Sequence, residues 1–457
     1  MTQKKNQMNM TEGVIWKQLI AFAMPLLVGN LFQQLYNTVD SVVVGNFIGS
    51  EALAAVGSSN SLINLIIGMF MGIATGAGVI ISQYYGAQDD QKLHWAVHTC
   101  MALSLIGGAA IIVVGVVMSP LILRWMGTPE EVMPNSVAYL RIYFCGSLFN
   151  LVYNMGAGIL RAVGDSKRPL YYLCVSSVVN IVLDLLFVIS FNMGTAGVGY
   201  ATIIAQAVSA VLVTRALIRS EENYRLVVSD IRIDKRMMKR ILRIGIPSGI
   251  QQSIISLSNV IVQSNINTYG ADAMAGYGSY CKVDGFANLP LQTFCMASTT
   301  FTGQNIGARN AKRVKAGLVQ GIVICLIYTM TIAVVLYFNA DSILRIFSPD
   351  PDVIAYGSRT LHLLLPFYWT IAIHQVLMGS IRGSGRTVVT MIIGIGNMCI
   401  LRMIYINLLV PFFPSYEAVM WCYPITWFTT MVMDIIYSLK ADWIPKEAVR
   451  SSKKTGD

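Results

Sequence analysis

The sequence predicts an all-α polytopic membrane protein: twelve transmembrane helices in two six-helix lobes, written as parallel repeats. Three observations predict it. Of 457 residues, 55% are hydrophobic and only 12% are charged, about half the charged share of a soluble domain. Apolar runs of about 20 residues, the length that crosses a hydrocarbon core, recur along the whole chain. The second half also repeats the first at constant spacing.

The runs place spans at 15–40, 52–81, 95–119, 137–160, 169–191 and 198–219, then at 241–266, 273–300, 316–339, 355–381, 388–410 and 417–439. Backbone polar groups in lipid must pair internally, so such spans are helices unless a closed barrel forms, and these runs are too long and uniform for barrel strands. The first run, Val14 to Val39, has no small-residue cleavage site and is expected to be a retained helix, not a signal peptide.

Charge placement sets the orientation. If the termini and every second loop lie on one side, that side holds 27 of the 33 Lys and Arg residues, including Lys4, Lys5, Arg161, Lys167, Arg168, the run from Arg215 to Arg243, and Arg309 to Lys315. The opposite loops hold Arg124 and Arg345, and Arg141, Lys282, Arg359 and Arg402 fall within or beside spans. This is the positive-inside asymmetry, so both termini are expected in the cytoplasm. The net charge of +10 is thereby a topology signal, and nucleic acid is not an expected partner. The eight cysteines all fall in spans and form no C-x-x-C pair, which predicts small buried apolar side chains over metal or disulfide chemistry. No cofactor is expected.

The repeat is read directly. FAMPLLVGNL at Phe22 answers to IGIPSGIQQS at Ile244, aligning Pro25 with Pro247. NFIGSEALAAVG at Asn46 answers to NTYGADAMAGYG at Asn267, SQYYGAQ at Ser82 to GQNIGAR at Gly303, and ILRAVGD at Ile159 to SIRGSGR at Ser380. Gly86 and Gly307 stand 221 positions apart, as do Arg161 and Arg382. Each copy holds six spans, so both insert in the same orientation, related by an axis along the membrane normal. The expected organisation is an N-lobe at 1–220, a cytoplasmic linker at 221–240 and a C-lobe at 241–457. Two matching lobes are the architecture of an alternating-access transporter.

Within the first lobe, depth follows from the helical rise of about 1.5 Å per residue. Asp184 stands 16 residues beyond Arg168, about 24 Å into span five. Asn180 is one turn earlier on the same face, and Thr202 sits about one turn below the outer end of span six. Asp40 closes span one at a similar level with Asn37 one turn beneath, or else is an outer-loop residue if the span ends at Val39. An ionised carboxylate in low dielectric is costly, which favours a proton. Two carboxylates can share a charge, and a hard cation such as Na⁺ can replace the proton among oxygen ligands. Gln34, Asn154, Ser177 and Gln206 either line the same cavity or form interhelical hydrogen bonds. Pro25 removes a backbone hydrogen bond and is a candidate point of helix bending. Gly68, Gly72 and Gly76 form a G-x-x-x-G-x-x-x-G face suited to close helix packing.

The paired GA loops, the motifs Leu-Arg-Ala-Val-Gly-Asp and Ile-Arg-Gly-Ser-Gly-Arg after spans four and ten, and Asn37-x-x-Asp40 resemble the multidrug and toxic compound extrusion (MATE) family, in its bacterial NorM-, DinF- and MepA-like branch. The resemblance covers nearly the whole chain and both halves. It implies export of amphipathic, often cationic, compounds in exchange for H⁺ or Na⁺ across the bacterial cytoplasmic membrane, by a multi-pass protein expected to be a monomer. Asp40, Asn180, Asp184 and Thr202 match the family's N-lobe cation network. Some members carry acids in spans seven and ten, whereas this chain has Gln251, Gln252, Asn259, His362, His374 and Gln375 there. That departure weakens the case for a C-lobe cation site. Lys282 and Asp284 in span eight are further cavity candidates, two positions apart and so on different helix faces. His362 and His374 lie about 120° apart around the helix and are expected to be separate hydrogen-bonded residues.

The alternative function is a flippase for lipid-linked oligosaccharide or lipid, within the same superfamily. Such a protein would line its cavity with several Arg residues, and only Arg402 is a candidate. H-E-x-x-H and G-x-S-x-G are absent, so an enzyme is not expected.

Overall fold

The computed structural model describes residues 8–43, 50–125, 130 and 133–445, with side chains throughout these except at 36, 37, 39–67 and 135. Among the described residues the fold is all helical. Twelve long rods follow one another: α1 Ile15–Val43, α2 Ser50–Gly86, α3 Asp90–Trp125, α4 Met133–Ala162, α5 Lys167–Ser190, α6 Gly194–Ile218, α7 Lys235–Asn267, α8 Ala271–Gly307, α9 Ala311–Phe338, α10 Pro351–Gly383, α11 Thr387–Phe412 and α12 Tyr416–Lys440. Eight are long and apolar enough to cross a membrane on those criteria alone. The others, α2, α4, α7 and α8, have 37, 30, 33 and 37 residues. Of these, α4, α7 and α8 carry more Ser, Asn, Gln and Gly, and the side chains of the first half of α2 lie outside the described residues.

The duplication is visible in the backbone. Gln88 and Arg309, which end the two GA loops, both have positive φ (53° and 59°), and so do Gly164 and Gly385 (93° and 86°). Each pair stands 221 positions apart. The next residues also correspond: Asp89 Oδ1 accepts the Lys92 N–H at 3.2 Å, and Asn310 Oδ1 accepts the Arg313 N–H at 3.0 Å. A side-chain oxygen thus satisfies one of the orphan donors at each helix start.

The chain divides into two compact units, one of Met1–Asn9 with Met24–Ile246, the other of Met10–Ala23 with Pro247–Asp457. The divisions inside helices therefore fall beside Pro25 in α1 and before Pro247 in α7, at repeat-related positions. Proline lacks the N–H that would continue the helical ladder, which makes each a local weak point.

In the first unit α4 packs between α3 and α6. The seams are made by small residues: Gly115 of α3 lies under Phe144, and Gly156 of α4 under Val213. Close approach of this kind replaces the hydrophobic drive that helices lack in lipid. Of the expected face of Gly68, Gly72 and Gly76, the last two are set against Gly245 of α7. Segment 221–240 is not a free linker. Tyr224 and Leu226 are buried, the Asn223 amide donates to Asp90 at 2.7 Å, and the Val227 and Asp234 N–H groups donate to His98 Nε2 and Thr99 Oγ1 at 3.0 and 3.1 Å.

In the second unit α8 and α10 form the most extensive pair, with the Cys295 carbonyl set against Gly379. Residues 10–14, just before α1, belong here. The Arg313 guanidinium donates to the carbonyls of Met10, Glu12 and Gly13 and to Gln18 Oε1 at 2.7–3.0 Å. Buried Met10 is also held by Gln304 and Asn305. Of the eight cysteines five are buried, but Cys145 and Cys281 are exposed, a departure from the expectation that all are interior.

Candidate functional site

In the first unit α5 and α6 are stitched together where Ser176 Oγ donates to the Ala205 carbonyl at 2.8 Å. Asn180 is one turn further along α5, and Thr202 is about one turn back along the antiparallel α6. The two therefore share a level about 5–6 Å beyond the stitch. Asp184 follows one turn on, on the Ser176–Asn180 face. Asn180, Asp184 and Thr202 are 2%, 0% and 8% exposed, so this is an interior polar patch inside apolar helices. Among the described residues, neither polar atom of the Asn180 amide has a hydrogen-bond partner. Thr202 donates to the Val198 carbonyl at 2.9 Å, which uses its proton and leaves its lone pairs available. Immediately after Asp184 the helix widens into a π-turn over Leu186–Ser190, a local feature that recurs at functional sites.

The side chains of Asp40 and Asn37 lie outside the described residues. The backbone of α1 nonetheless runs helically through both and ends at Val43, so Asp40 is a helix residue and not part of an outer loop. Gly29 of α1 lies against Leu170 and Leu173 of α5. Asp40 stands 11 residues beyond Gly29, and Asp184 stands 11 and 14 residues beyond Leu173 and Leu170, which by residue count puts the two backbones at similar levels if the helices run in the same direction.

The other sequence candidates separate. Ser177 makes a local bond, donating to the Leu173 carbonyl, whereas Gln206 of α6 hydrogen-bonds Tyr143 of α4, one of the interhelical bonds that the sequence allowed. Gln34 is exposed. Asn154 donates to the carbonyl and side-chain oxygens of Asn150 at 2.9 and 2.8 Å. These two asparagines line a mainly apolar cavity of about 160 Å³ with Phe70, Ser104 and Leu242. None of Asn180, Asp184 and Thr202 lines it.

In the second unit Lys282 and Asp284 diverge as their spacing requires. Exposed Lys282 sits 5.5 Å from the Phe347 ring centroid. Asp284 Oδ1 accepts the Tyr368 hydroxyl at 2.5 Å and the Asn288 amide at 2.6 Å. Arg402 is 2% exposed and held by neutral partners: Asn259 Oδ1 at 2.7 Å, Thr426 Oγ1 at 3.4 Å and the Tyr423 ring at 4.6 Å. His362 bonds Ser358 and the Tyr337 carbonyl, well apart from His374. Sequence reasoning missed Asp434, which lies 2.6 Å from His374 Nδ1. The available signal was an acid flanked by Met-Val-Met and Ile-Ile, the same kind of context that marks Asp184.

At the helix ends, the side chain and charge of Lys92 beside Asp89 hold that carboxyl below the usual range. Burial pushes Asp165 up, although its carboxylate accepts the N–H groups of Lys167 and Arg168, each at 3.1 Å, and pairs with the Arg168 side chain at 3.0 Å. Among the described residues one group, His94, His98 and Asp230, brings possible metal-ligating atoms together. Both His98 nitrogens are already engaged, with the His94 carbonyl and the Val227 N–H, so the cluster reads as a clasp between α3 and segment 221–240.

Comparison with known proteins places this geometry. Two probable multidrug resistance proteins of Bacillus subtilis, YpnP and YoeA, are each 31% identical over 401 and 402 residues, 86% of this chain and 88% and 86% of theirs. A MATE crystal structure in the bent conformation superposes with a TM-score of 0.89 over 98% of each chain at 22% identity. A MOP superfamily transporter from Pyrococcus furiosus, whose binding pocket of reverse polarity suggests a different function, gives 0.88 over 94% and 96% at 23% identity. The MatE family model matches twice, over residues 25–186 and 247–408. Two matches in register with the internal repeat span most of the sequence, and the chain belongs to the MatE family of transporters.

Proposed function

We propose that this chain is a secondary active multidrug exporter that passes amphipathic or cationic compounds outward in exchange for H⁺ or Na⁺, by alternating access. One observation carries the reading: a completely buried carboxylate, Asp184, stands one turn from an Asn180 amide that has no partner among the described residues, and beside the level of Thr202. Intramembrane acids are expensive and mark ion pathways. The available donors, carboxylate, amide and hydroxyl oxygen, are those a hard monovalent cation takes, and a proton can substitute by neutralising the acid. Asp40, at a similar level by residue count, supplies the second carboxylate of the pair. Pro25 gives α1 the weak point at which it bends when the charge of the site changes. The protein acts as a monomer in the bacterial cytoplasmic membrane with both termini inside, as its basic loops require. The names of the Bacillus relatives support the drug-export reading.

Reconstitution tests it. Proteoliposomes given an imposed pH or Na⁺ gradient should accumulate a cationic dye, and a fluorescent lipid in the same vesicles should not change leaflet. Gradient-independent lipid movement without dye transport would instead favour the flippase.

A further inference from the structure

The second unit contains a buried acid–base couple with no counterpart in the first. His374 Nδ1 of α10 and Asp434 Oδ2 of α12 are 2.6 Å apart, with side chains 6% and 1% exposed. At the repeat spacing of 221 their equivalents are Tyr153 and Val213. Tyr153 donates to the Pro169 carbonyl and Val213 covers Gly156. The fold therefore packs these positions without charge, and the couple is an addition to the architecture.

Its surroundings are short of charge. His374 stands eight residues from Arg382 and Asp434 six from Lys440, about 12 and 9 Å inside those basic helix ends. From α9, Gly321 lies against Val376, which brings Cys325 alongside one turn on; from α8, Cys295 lies against Gly379. From α11, Asn397 reaches Met433 and Arg402, further out, is tied to Asn259 and Thr426. Arg382 of α10 is tied to Gln251 of α7. Asp284 of α8 is held by Tyr368 and Asn288 nearer the opposite end. The titratable and charged groups on the packed helices thus include the buried thiols of Cys295, Cys325 and Cys399, the Tyr328 phenol, two arginines already bonded to neutral partners, and Asp284.

We infer that His374 and Asp434 form a proton-binding site of the second unit, taking up and releasing one proton as a pair. In the proton-bound form both imidazole nitrogens carry hydrogen, Nδ1–H donates to the Asp434 carboxylate, and the pair has zero net charge. Release of the Nε2 proton leaves Nδ1–H on Asp434 and one net negative charge in a dry site. That charge is costly unless water or a cation reaches it, which couples proton release to opening of the region between α10 and α12. The site deepens the exporter reading by giving the second repeat its own ion step, but proton binding itself does not rest on that reading.

The chain has four histidines, so isotope-labelled histidine gives four imidazole signals by NMR in nanodiscs. The signal absent from His374→Gln is expected to change protonation state in a single one-proton step with pH. Asp434→Asn should displace that step by about one pH unit or more, since the step belongs to the pair. If Asp434→Asn does not fold, Asp434→Glu, which keeps the charge on a longer arm, should displace it by less. Asp184→Asn should leave it in place, so failure of dye export and failure of this site are distinguishable. A His374 signal in one protonation state throughout the pH range of the folded protein, or a step unmoved in both Asp434 variants, would overturn the assignment.

Discussion

Gly76 of α2 and Gly245 of α7 meet backbone to backbone: a Cβ on Gly76 would stand 2.6 Å from the Gly245 nitrogen and the Ile241 carbonyl oxygen. Nothing flexible is available to move away. Gly76→Ala should therefore destabilise the first unit by about 1–3 kcal/mol, the usual cost of overpacking, and Gly76→Val by more. Thermal unfolding in detergent checks it; an unchanged melting temperature for Gly76→Val would contradict the contact.

Arg313 gathers the segment before α1 into the second unit through four acceptors. Hydrogen bonds to a charged group contribute about 1.5–3 kcal/mol each, less where exposed. Arg313→Ala should lower the melting temperature and speed proteolysis at Lys17. Arg313→Lys should recover little, because a single ammonium cannot reproduce the guanidinium fork.

Asp165 caps the start of α5 through its carboxylate. Removing such a cap costs about 1 kcal/mol. Asp165→Ala should show at least this loss by chemical denaturation, whereas Asp165→Asn, which keeps an acceptor, should lose less. Equal losses would mean that the pairing with Arg168, not the cap, is what matters.

Much of this organisation can be read in the chain. The duplication is visible because motif spacing survives as a constant offset, and the structure repeats it down to matched positive-φ residues. Asp184 is conspicuous because an acid interrupts an apolar run. Asp434 has the same signature, yet its closeness to Lys440 makes it look like part of a cytoplasmic helix end. Its partner is 60 positions away, a distance at which periodicity carries no information. The assignment of Met10–Ala23 to the second unit is hidden for the same reason: it depends on Gln304, Asn305 and Arg313, nearly 300 residues on. Segment 221–240 looks like a linker from its charge, but its Tyr224 and Leu226 are buried in the apolar core of the first unit.

If Asp40 and Asp184 share a proton or ion, as proposed, they act as one coupled site. Asp40→Asn should then abolish coupling as fully as Asp184→Asn, with the double variant no worse than either. Drug binding should persist in part, because the apolar wall remains. Near-normal transport by Asp40→Asn, or additive losses in the double variant, would separate the two residues.

The most direct measurement is gradient-driven dye export by purified Asp184→Asn in proteoliposomes, normalised to reconstituted protein. Asparagine keeps the size and hydrogen-bonding capacity of the side chain but cannot ionise. The variant should fold with a melting temperature close to that of the parent and lose at least about 90% of export, a tenfold drop corresponding to about 1.4 kcal/mol. Full export by a well-folded Asp184→Asn protein would contradict the account.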